Sequence, residues 1–277
     1  MDAQFCQSLF DVEGQVIVIT GGGGVLCGTL ARALARAGAR VAVLDVRLAA
    51  AEAVAADIHA AGGEALALAA DVLDKASVEE AAARVVAHWG GIDALINGAG
   101  GNRRESTTSP DLSFFDLPQE AFQFVFNLNF IGTLIPSQVI GRIMAEQGRG
   151  AILNIASINA FSPLTNIPAY SAAKAAVKNF TEWLAVHLCH HCSPGIRVNA
   201  IAPGFFLTEQ NRYLLTDAAT GEMTARGRRI VDHTPMGRYG DPSELVSTVL
   251  WLLSPGASFV HGITVAVDGG FSIYSGV

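Results

Sequence analysis

The sequence predicts an α/β fold: one doubly wound, parallel sheet of about seven strands with helices on both faces. Short β-rich apolar runs recur along the chain, and longer alanine-rich stretches with helical spacing separate them. Strands that are apolar throughout are buried on both faces, as in parallel sheets covered by crossover helices. The composition agrees. Of 277 residues, 51% are hydrophobic and only 16% charged, enough to fill a sizeable core and too apolar for a disordered chain.

The strands follow in order. "QVIVIT" (15–20) and "RVAVLD" (40–45) flank the helical stretch "GTLARALARAG", and "ALALAA" (65–70) follows an alanine-rich segment. That segment, 48–61, looks low in complexity, but alanine is the best helix former and its charges fall at intervals, so it reads as a crossover helix. "SVEEAAARVVAHWG" leads to "DALIN" (93–97), and then come "AILNIA" (151–156), "IRVNAIA" (196–202) and "ITVAVD" (263–268). Two connections interrupt the rhythm, 101–118 after the fourth strand and 204–240 after the sixth. Long connections in compact domains are usually lids or binding loops. Both leave carboxyl strand ends, so both are expected to overhang a ligand crevice.

Several classes are disfavoured. A formal net charge of −7 gives no basic footprint for nucleic acid. No apolar run reaches the roughly 18 residues of a membrane span, and "MDAQFCQSLFDVEG" lacks a basic region followed by an apolar one. A cytoplasmic protein without membrane partners is the expectation. Cys6, Cys27, Cys189 and Cys192 are too scattered for a disulfide framework. The run "CHHC" at 189–192 reads as a helix end before "SPG" rather than a zinc site, because neighbours on one helical turn rarely converge as four tetrahedral ligands. No metal is expected.

Directly after the first strand comes "TGGGGVLCGTLARAL". Glycines there let the backbone approach a pyrophosphate, and the following helix offers unpaired N–H groups to its charge. Asp45, 24 residues past Gly21, ends the second strand and can hold adenosine ribose hydroxyls. Its charge would repel a 2′-phosphate, so NAD is expected ahead of NADP, although Arg47 lies close by. Helix capping is the alternative role for Asp45. The whole chain, 1–277, thus reads as a single Rossmann-type domain that binds a dinucleotide and carries the catalytic groups. Near the chemistry, "NIPAYSAAKAAVKNF" (166–180) sets Tyr170 and Lys174 four apart at a helix start, on one face. A cation beside a phenol lowers its pKa.

These pieces together resemble the short-chain dehydrogenase/reductase family from about residue 12 onward. "TGGGGVLCG" resembles its glycine motif, Asp71 in "DV" its adenine-contact acid, and "NGAG" (97–100) its "NNAG". Asn129 in "NLNFIGT", Ser157 in "NIAS", and Tyr170 and Lys174 fall on its four catalytic positions. "VNAIAPGFFLTE" and "VDGG" match later segments. The resemblance implies cofactor contacts at Gly21, Gly23, Gly24, Val25 and Leu26 in the first turn, and at Asp45, Asp71 and Val72 around the adenosine. It implies further contacts at Asn97, Ala99 and Gly100, at Tyr170 and Lys174, and at Pro203, Gly204, Phe206 and Thr208. One departure stands out: Val25 and Cys27 replace two of the usual glycines.

The implied reaction is hydride transfer between a nicotinamide and a secondary alcohol or ketone. Tyr170 would pass the proton, with its pKa depressed by Lys174. Ser157 would steady the substrate oxygen, and Asn129 would position a water that links Lys174 to solvent. "TGGGGVL" with "GGNRRESTT" and "HTPMGRYGDPSEL" looks like the D-mannonate oxidoreductase (fructuronate reductase) branch, which implies a sugar-acid substrate. Arg103 and Arg104 are candidate carboxylate clamps, since guanidinium binds carboxylate in a bidentate fork. Asn102, Ser157, Asn159, Arg212 and His233 are further substrate candidates, with Glu209 and Asn211 beside them. The same catalytic set would also serve a polyol, ketogluconate or 3-oxoacyl thioester reductase. The replaced glycines leave open a nucleotide-binding scaffold without activity. Family resemblance also implies a homotetramer, with "AVKNFTEWLAVHL" and "GGFSIYSGV" as contacts.

Overall fold

The computed structural model describes residues 2–207, 215–217 and 220–276. Seven strands form one all-parallel sheet: β1 Val16–Thr20, β2 Arg40–Asp45, β3 Glu64–Ala69, β4 Ala94–Asn97, β5 Gly150–Ile155, β6 Ile196–Pro203 and β7 Thr264–Val267. Their order is β3-β2-β1-β4-β5-β6-β7. The doubly wound Rossmann fold expected from the sequence is therefore present, with every strand within about a residue of its predicted span.

The helices are α1 Ala3–Leu9, α2 Val25–Arg36, α3 Leu48–Ala60, α4 Lys75–Trp89, α5 Gln119–Phe126, α6 Gly132–Gln147, α7 Pro168–His191, α8 Ala225–Asp232 and α9 Val246–Leu253. Alternate residues of each strand face opposite layers. Ile17, Ile19, Val41 and Val43 pack with Leu30 and Leu34 of α2, Ile58 of α3 and Leu252 of α9. Val16, Val18, Ala42 and Leu44 join Val78 and Val85 of α4, Ile140 and Met144 of α6 and Leu184 of α7. Two apolar layers thus enclose the sheet, which is why its strands lack a polar face.

One expectation changes. The continuous helical run Gln119–Gln147 is long and apolar enough to cross a membrane by length and composition, although no uninterrupted apolar stretch signals it. Half of its most apolar window is buried inside the fold, with Ile140 and Met144 inside the second layer. Its apolarity serves the core. The "CHHC" run closes α7, with Cys192 as the capping residue.

The strand order reverses between β1 and β4, and such a switch point opens a crevice beyond the carboxyl strand ends. Thr20 ties the two sides together there, its Oγ1 accepting from Gly98 N at 3.1 Å and Ala99 N at 3.3 Å. Gly21 has φ +65°, and a Cβ on it would lie 2.8 Å from Ala99 Cα. Only glycine suits both the left-handed conformation and that approach.

The replaced glycine at Cys27 has a counterpart across this crevice. A Cβ on Gly98 would lie 2.1 Å from Cys27 Sγ. Gly98 stands where the resembled motif carries a second asparagine, so the side chain gained at 27 occupies space vacated at 98. Gly98→Asn should destabilise the protein by about 1–3 kcal/mol through overpacking, and adding Cys27→Gly should recover part of the loss, since a Cβ at 98 would also lie 2.9 Å from Thr20 O. Thermal unfolding of both single variants and the double measures this coupling; additive effects would show that the two positions are independent.

Candidate active site

The turn into α2 is built for an anion. Gly24 caps the helix without a side-chain hydrogen bond, and its first turn carries no acid. The amide ends of the helix therefore remain exposed to a ligand. Asp45 at the end of β2 is 7% exposed. It accepts from Gly23 N at 3.1 Å and Arg47 N at 3.0 Å, while Arg47 Nε sits 3.7 Å away. Both oxygens brace the loop, and each keeps a lone pair for a ribose hydroxyl. Asp71 is exposed beyond β3, its Oδ1 accepting from Leu73 N at 2.9 Å, and Val72 beside it is buried.

The main cavity, of about 810 Å³, opens over Val25 and Leu26 and continues past Gly100, Ile155 and Ser157 to Tyr170 and Lys174. Pro203, Gly204, Phe205 and Phe206 form its far wall. Arg103, Arg104, Lys174 and Arg226 also line it, and no acid does among the described residues. In a chain of net charge −7, four cations and no carboxylate define a site for anionic ligands. Thr208 and Arg212, with Glu209 and Asn211, lie outside the described residues.

Pro168 occupies the first turn of α7, so the helix starts just before Tyr170 and presents Tyr170 and Lys174 to the cavity. Lys174 is 5% exposed. Its Nζ donates to Ile155 O at 2.7 Å. Burial lowers its pKa to about 8. Nζ lies 5.6 Å from the centre of the Tyr170 ring. Tyr170 departs from the expectation: burial raises its pKa, and the group that opposes this is the Ser157 hydroxyl rather than Lys174. With its ammonium committed to a main-chain carbonyl, the lysine leaves the serine to favour the phenolate.

Ser157 is oriented for that task. Its Oγ accepts from Asn159 N and Asn159 Nδ2, each at 3.2 Å. Both acceptor positions are filled, so the hydroxyl proton is left to donate. Asn159 was expected at the substrate; instead it is 5% exposed, and its Oδ1 accepts from Leu164 N at 3.1 Å and Ser171 Oγ at 2.8 Å. It aligns the serine.

Asn129 sits in a single π turn, Asn127–Ile131, between α5 and α6. Fully buried, it donates to Gly101 O and Val125 O at 2.7 Å each and accepts from Gly101 N at 3.1 Å. It pins the loop after β4 beside the lysine: a Cβ on Gly100 would approach Asn129 Oδ1 to 2.6 Å and Lys174 Nζ to 3.4 Å. Asn97 also differs from expectation. Its Nδ2 donates into the interior, to Ser137 Oγ at 2.9 Å and Asn154 Oδ1 at 2.8 Å, so its side chain does not face the cavity.

The substrate candidates separate in the same way. Asn102 is bound within its own loop, to Thr107 Oγ1 at 2.8 Å and Ser106 Oγ at 3.0 Å. The Arg103 guanidinium rests 3.2 Å from the centre of the Phe124 ring. His233 lines an adjoining cavity rather than the one holding Tyr170. Arg226, which sequence reasoning passed over, lines both. Its signal was the spacing of cations in "ARGRRIVDH".

Fold and site together define a dinucleotide-linked oxidoreductase. The family model described as "Enoyl-(Acyl carrier protein) reductase" matches residues 26–272, and the chain belongs to the short-chain dehydrogenase/reductase family, oxidoreductases that act on CH–OH groups. It is 48% identical to the uncharacterized oxidoreductase UxuB of Bacillus subtilis (strain 168), over 96% of this chain and 98% of that one. A Haemophilus influenza protein provisionally designated a D-mannonate oxidoreductase, crystallised with bound NAD, is 45% identical with a TM-score of 0.91, over 98% of this chain and 100% of that one. The 5-keto-D-gluconate 5-reductase of Escherichia coli (strain K12) is 32% identical over 96% of this chain and 98% of its own.

Burying the Lys174 charge costs stability at neutral pH. The depressed pKa means that this cost is present below pH 8 and disappears as pH rises from 8 toward the ordinary 10.5. Lys174→Met should therefore be more stable than wild type by about 2 kcal/mol at pH 7, after allowing for the lost hydrogen bond. That margin should shrink between pH 8 and 10.5. Denaturant unfolding at pH 7 and 10 tests it, and a variant less stable at pH 7 contradicts it.

Proposed function

We propose that the protein is an NAD(H)-dependent oxidoreductase that interconverts a secondary alcohol and a ketone of a sugar acid, with D-mannonate and D-fructuronate the favoured pair. The observation that carries this reading is the cavity in which Ser157, Tyr170 and Lys174 meet a lining of cations without acids. The designation of the Haemophilus influenza relative and the activity named for the Escherichia coli one support a sugar acid.

The exposed amide end of α2, the glycine turn and Asp45 fit a dinucleotide, and Asp45 favours an unphosphorylated adenosine ribose. Bound nicotinamide supplies or accepts the hydride. Tyr170 gives its proton to the carbonyl oxygen in reduction and recovers it in oxidation. Ser157, with its acceptor positions occupied by Asn159, donates to the oxygen on which charge develops. Lys174, held by Ile155 O, would supply positive charge to the bound cofactor, and Asn129 fixes the loop after β4 beside it. The residues 101–118 and 204–240 act as the substrate loops of a single catalytic domain, and the protein assembles as a homotetramer.

Tyr170→Phe should lower kcat by roughly 10²–10⁴-fold while fluorescence titration shows NADH affinity within about threefold of wild type; substantial turnover by this variant refutes the acid/base assignment. A panel of D-fructuronate, D-tagaturonate, 5-keto-D-gluconate and an acetoacetyl thioester, each with NADH and NADPH, should give the highest kcat/KM for D-fructuronate with NADH. Light scattering should report a particle of four times the 28.9 kDa chain.

A further inference from the structure

A second cavity, of about 470 Å³, adjoins the catalytic one and shares Ile167, Phe205 and Arg226 with it. Its walls are Leu164–Ile167, Phe205, the face of α8 and Phe271. On α8 and its C-cap the residues facing it are Arg226, Arg229, Ile230 and His233. These are positions i, i+3, i+4 and i+7, one face of a helix. An amphipathic helix fills such a face with apolar groups. Here only Ile230 is apolar and buried, and the other three positions carry basic side chains. Arg228 and Asp232 are exposed and absent from this lining, and no acid contributes to it among the described residues. Neither Arg226 nor Arg229 makes a salt bridge among the described residues, in contrast to Arg238, paired with Glu244 at 2.6 Å. His233 is held edge-on by Phe271 and Tyr274, at 4.7 and 5.1 Å between ring centres.

We infer that this annex is the carboxylate subsite, in which Arg226 and Arg229 grip the acid group of the substrate while its reacting carbon lies at Tyr170. The inference rests on the sugar-acid reading above. In D-fructuronate and 5-keto-D-gluconate the carboxylate stands four carbon–carbon bonds from the ketone carbon, roughly 5 Å in an extended chain. The acid group therefore belongs in a compartment beyond the hydride position, not beside it. Arg226, shared by both cavities, marks the passage. Of the two earlier candidates, Arg103 has its guanidinium face on Phe124, and Arg104 lines the catalytic cavity but not this annex. The annex would thus set which end of the sugar acid enters first, and so which hydroxyl reacts.

The test uses full-length wild type, Arg226→Gln/Arg229→Gln and, for comparison, Arg104→Gln. Each is assayed with D-fructuronate and with D-fructose, its neutral counterpart bearing CH₂OH in place of the carboxylate. The double variant should reduce the acid-to-neutral ratio of kcat/KM by roughly 10–100-fold, as expected for lost charge-assisted hydrogen bonds, mainly through KM. Arg226→Lys, which keeps charge but not the fork, should recover only part of it. An unchanged ratio in the double variant, or a loss confined to Arg104→Gln, overturns the inference and leaves the sugar-acid reading standing. If wild type reduces no sugar acid, that reading fails. Calorimetric titration of D-gluconate into the NADH complex then decides the annex separately: binding lost in the double variant supports it, and binding equal to wild type or absent from both refutes it.

Discussion

The buried ammonium of Lys174 is the constraint around which this end of the sheet is organised. A charge at 5% exposure must find an acceptor, and here it finds the Ile155 carbonyl at the end of β5. A carboxylate would have neutralised it and spoiled the site for anions. A neutral carbonyl holds the lysine while leaving its field pointed into the cavity. The cost appears in the pKa lowered to about 8, and the surrounding fold has to supply compensating stability.

Beneath the crevice lies a set of buried amides and hydroxyls that fixes the elements around the lysine. Asn97, Ser137, Asn154 and Thr181 form one hydrogen-bonded chain through β4, α6, β5 and α7. Thr20 and Asn129 act on opposite sides of the loop after β4, one fixing it to β1 and the other to the π turn. Thr20 and Asn129 thereby pair main-chain groups of Gly98, Ala99 and Gly101 that an irregular loop would otherwise leave to water. The loops at the crevice are therefore irregular in shape yet fixed in place, as close approach to a cofactor requires.

The strands were legible because the covered parallel sheet leaves short, mostly apolar runs spaced between longer helical stretches. Tyr170 and Lys174 were legible because i, i+4 spacing at a helix start is local information. What failed was of another kind. Asn159 reads as a polar loop residue until the chain folds it under Ser157. Cys27 reads as a damaged glycine motif until Gly98, 71 residues later, is seen to make room for it. The Lys174 effect on Tyr170 was inferred from adjacency on a helix, but adjacency does not say where the ammonium points. Packing between distant segments decided all three.

The segment after β6 shows the same limit and carries an argument about specificity. "ARGRRIVDH" falls inside the 204–240 connection, where glycines, prolines and basic residues are interspersed and the sequence shows no separate helix. Folded, it is a two-turn helix capped by Thr224, whose Oγ1 accepts from Gly227 N at 3.0 Å. Of the face that lines the second cavity only Ile230 is buried, and its other positions are basic. Arg226 is half-buried and Arg229 exposed on that face, and neither has a salt-bridge partner among the described residues, so a basic lining makes sense where a ligand brings the negative charge. In the proposed mechanism Ser157, Tyr170 and Lys174 act on the carbon–oxygen bond and are indifferent to the rest of the molecule. Discrimination therefore has to come from groups that meet the remote end of the substrate, and the proposed subsite puts those groups on α8, a different element from the chemistry. Binding energy collected there can position the reacting carbon without altering the proton relay. The fixed hydrogen-bonded floor and the cationic helix above it are separable parts, and changes in the second can redirect the enzyme while the first stays as it is.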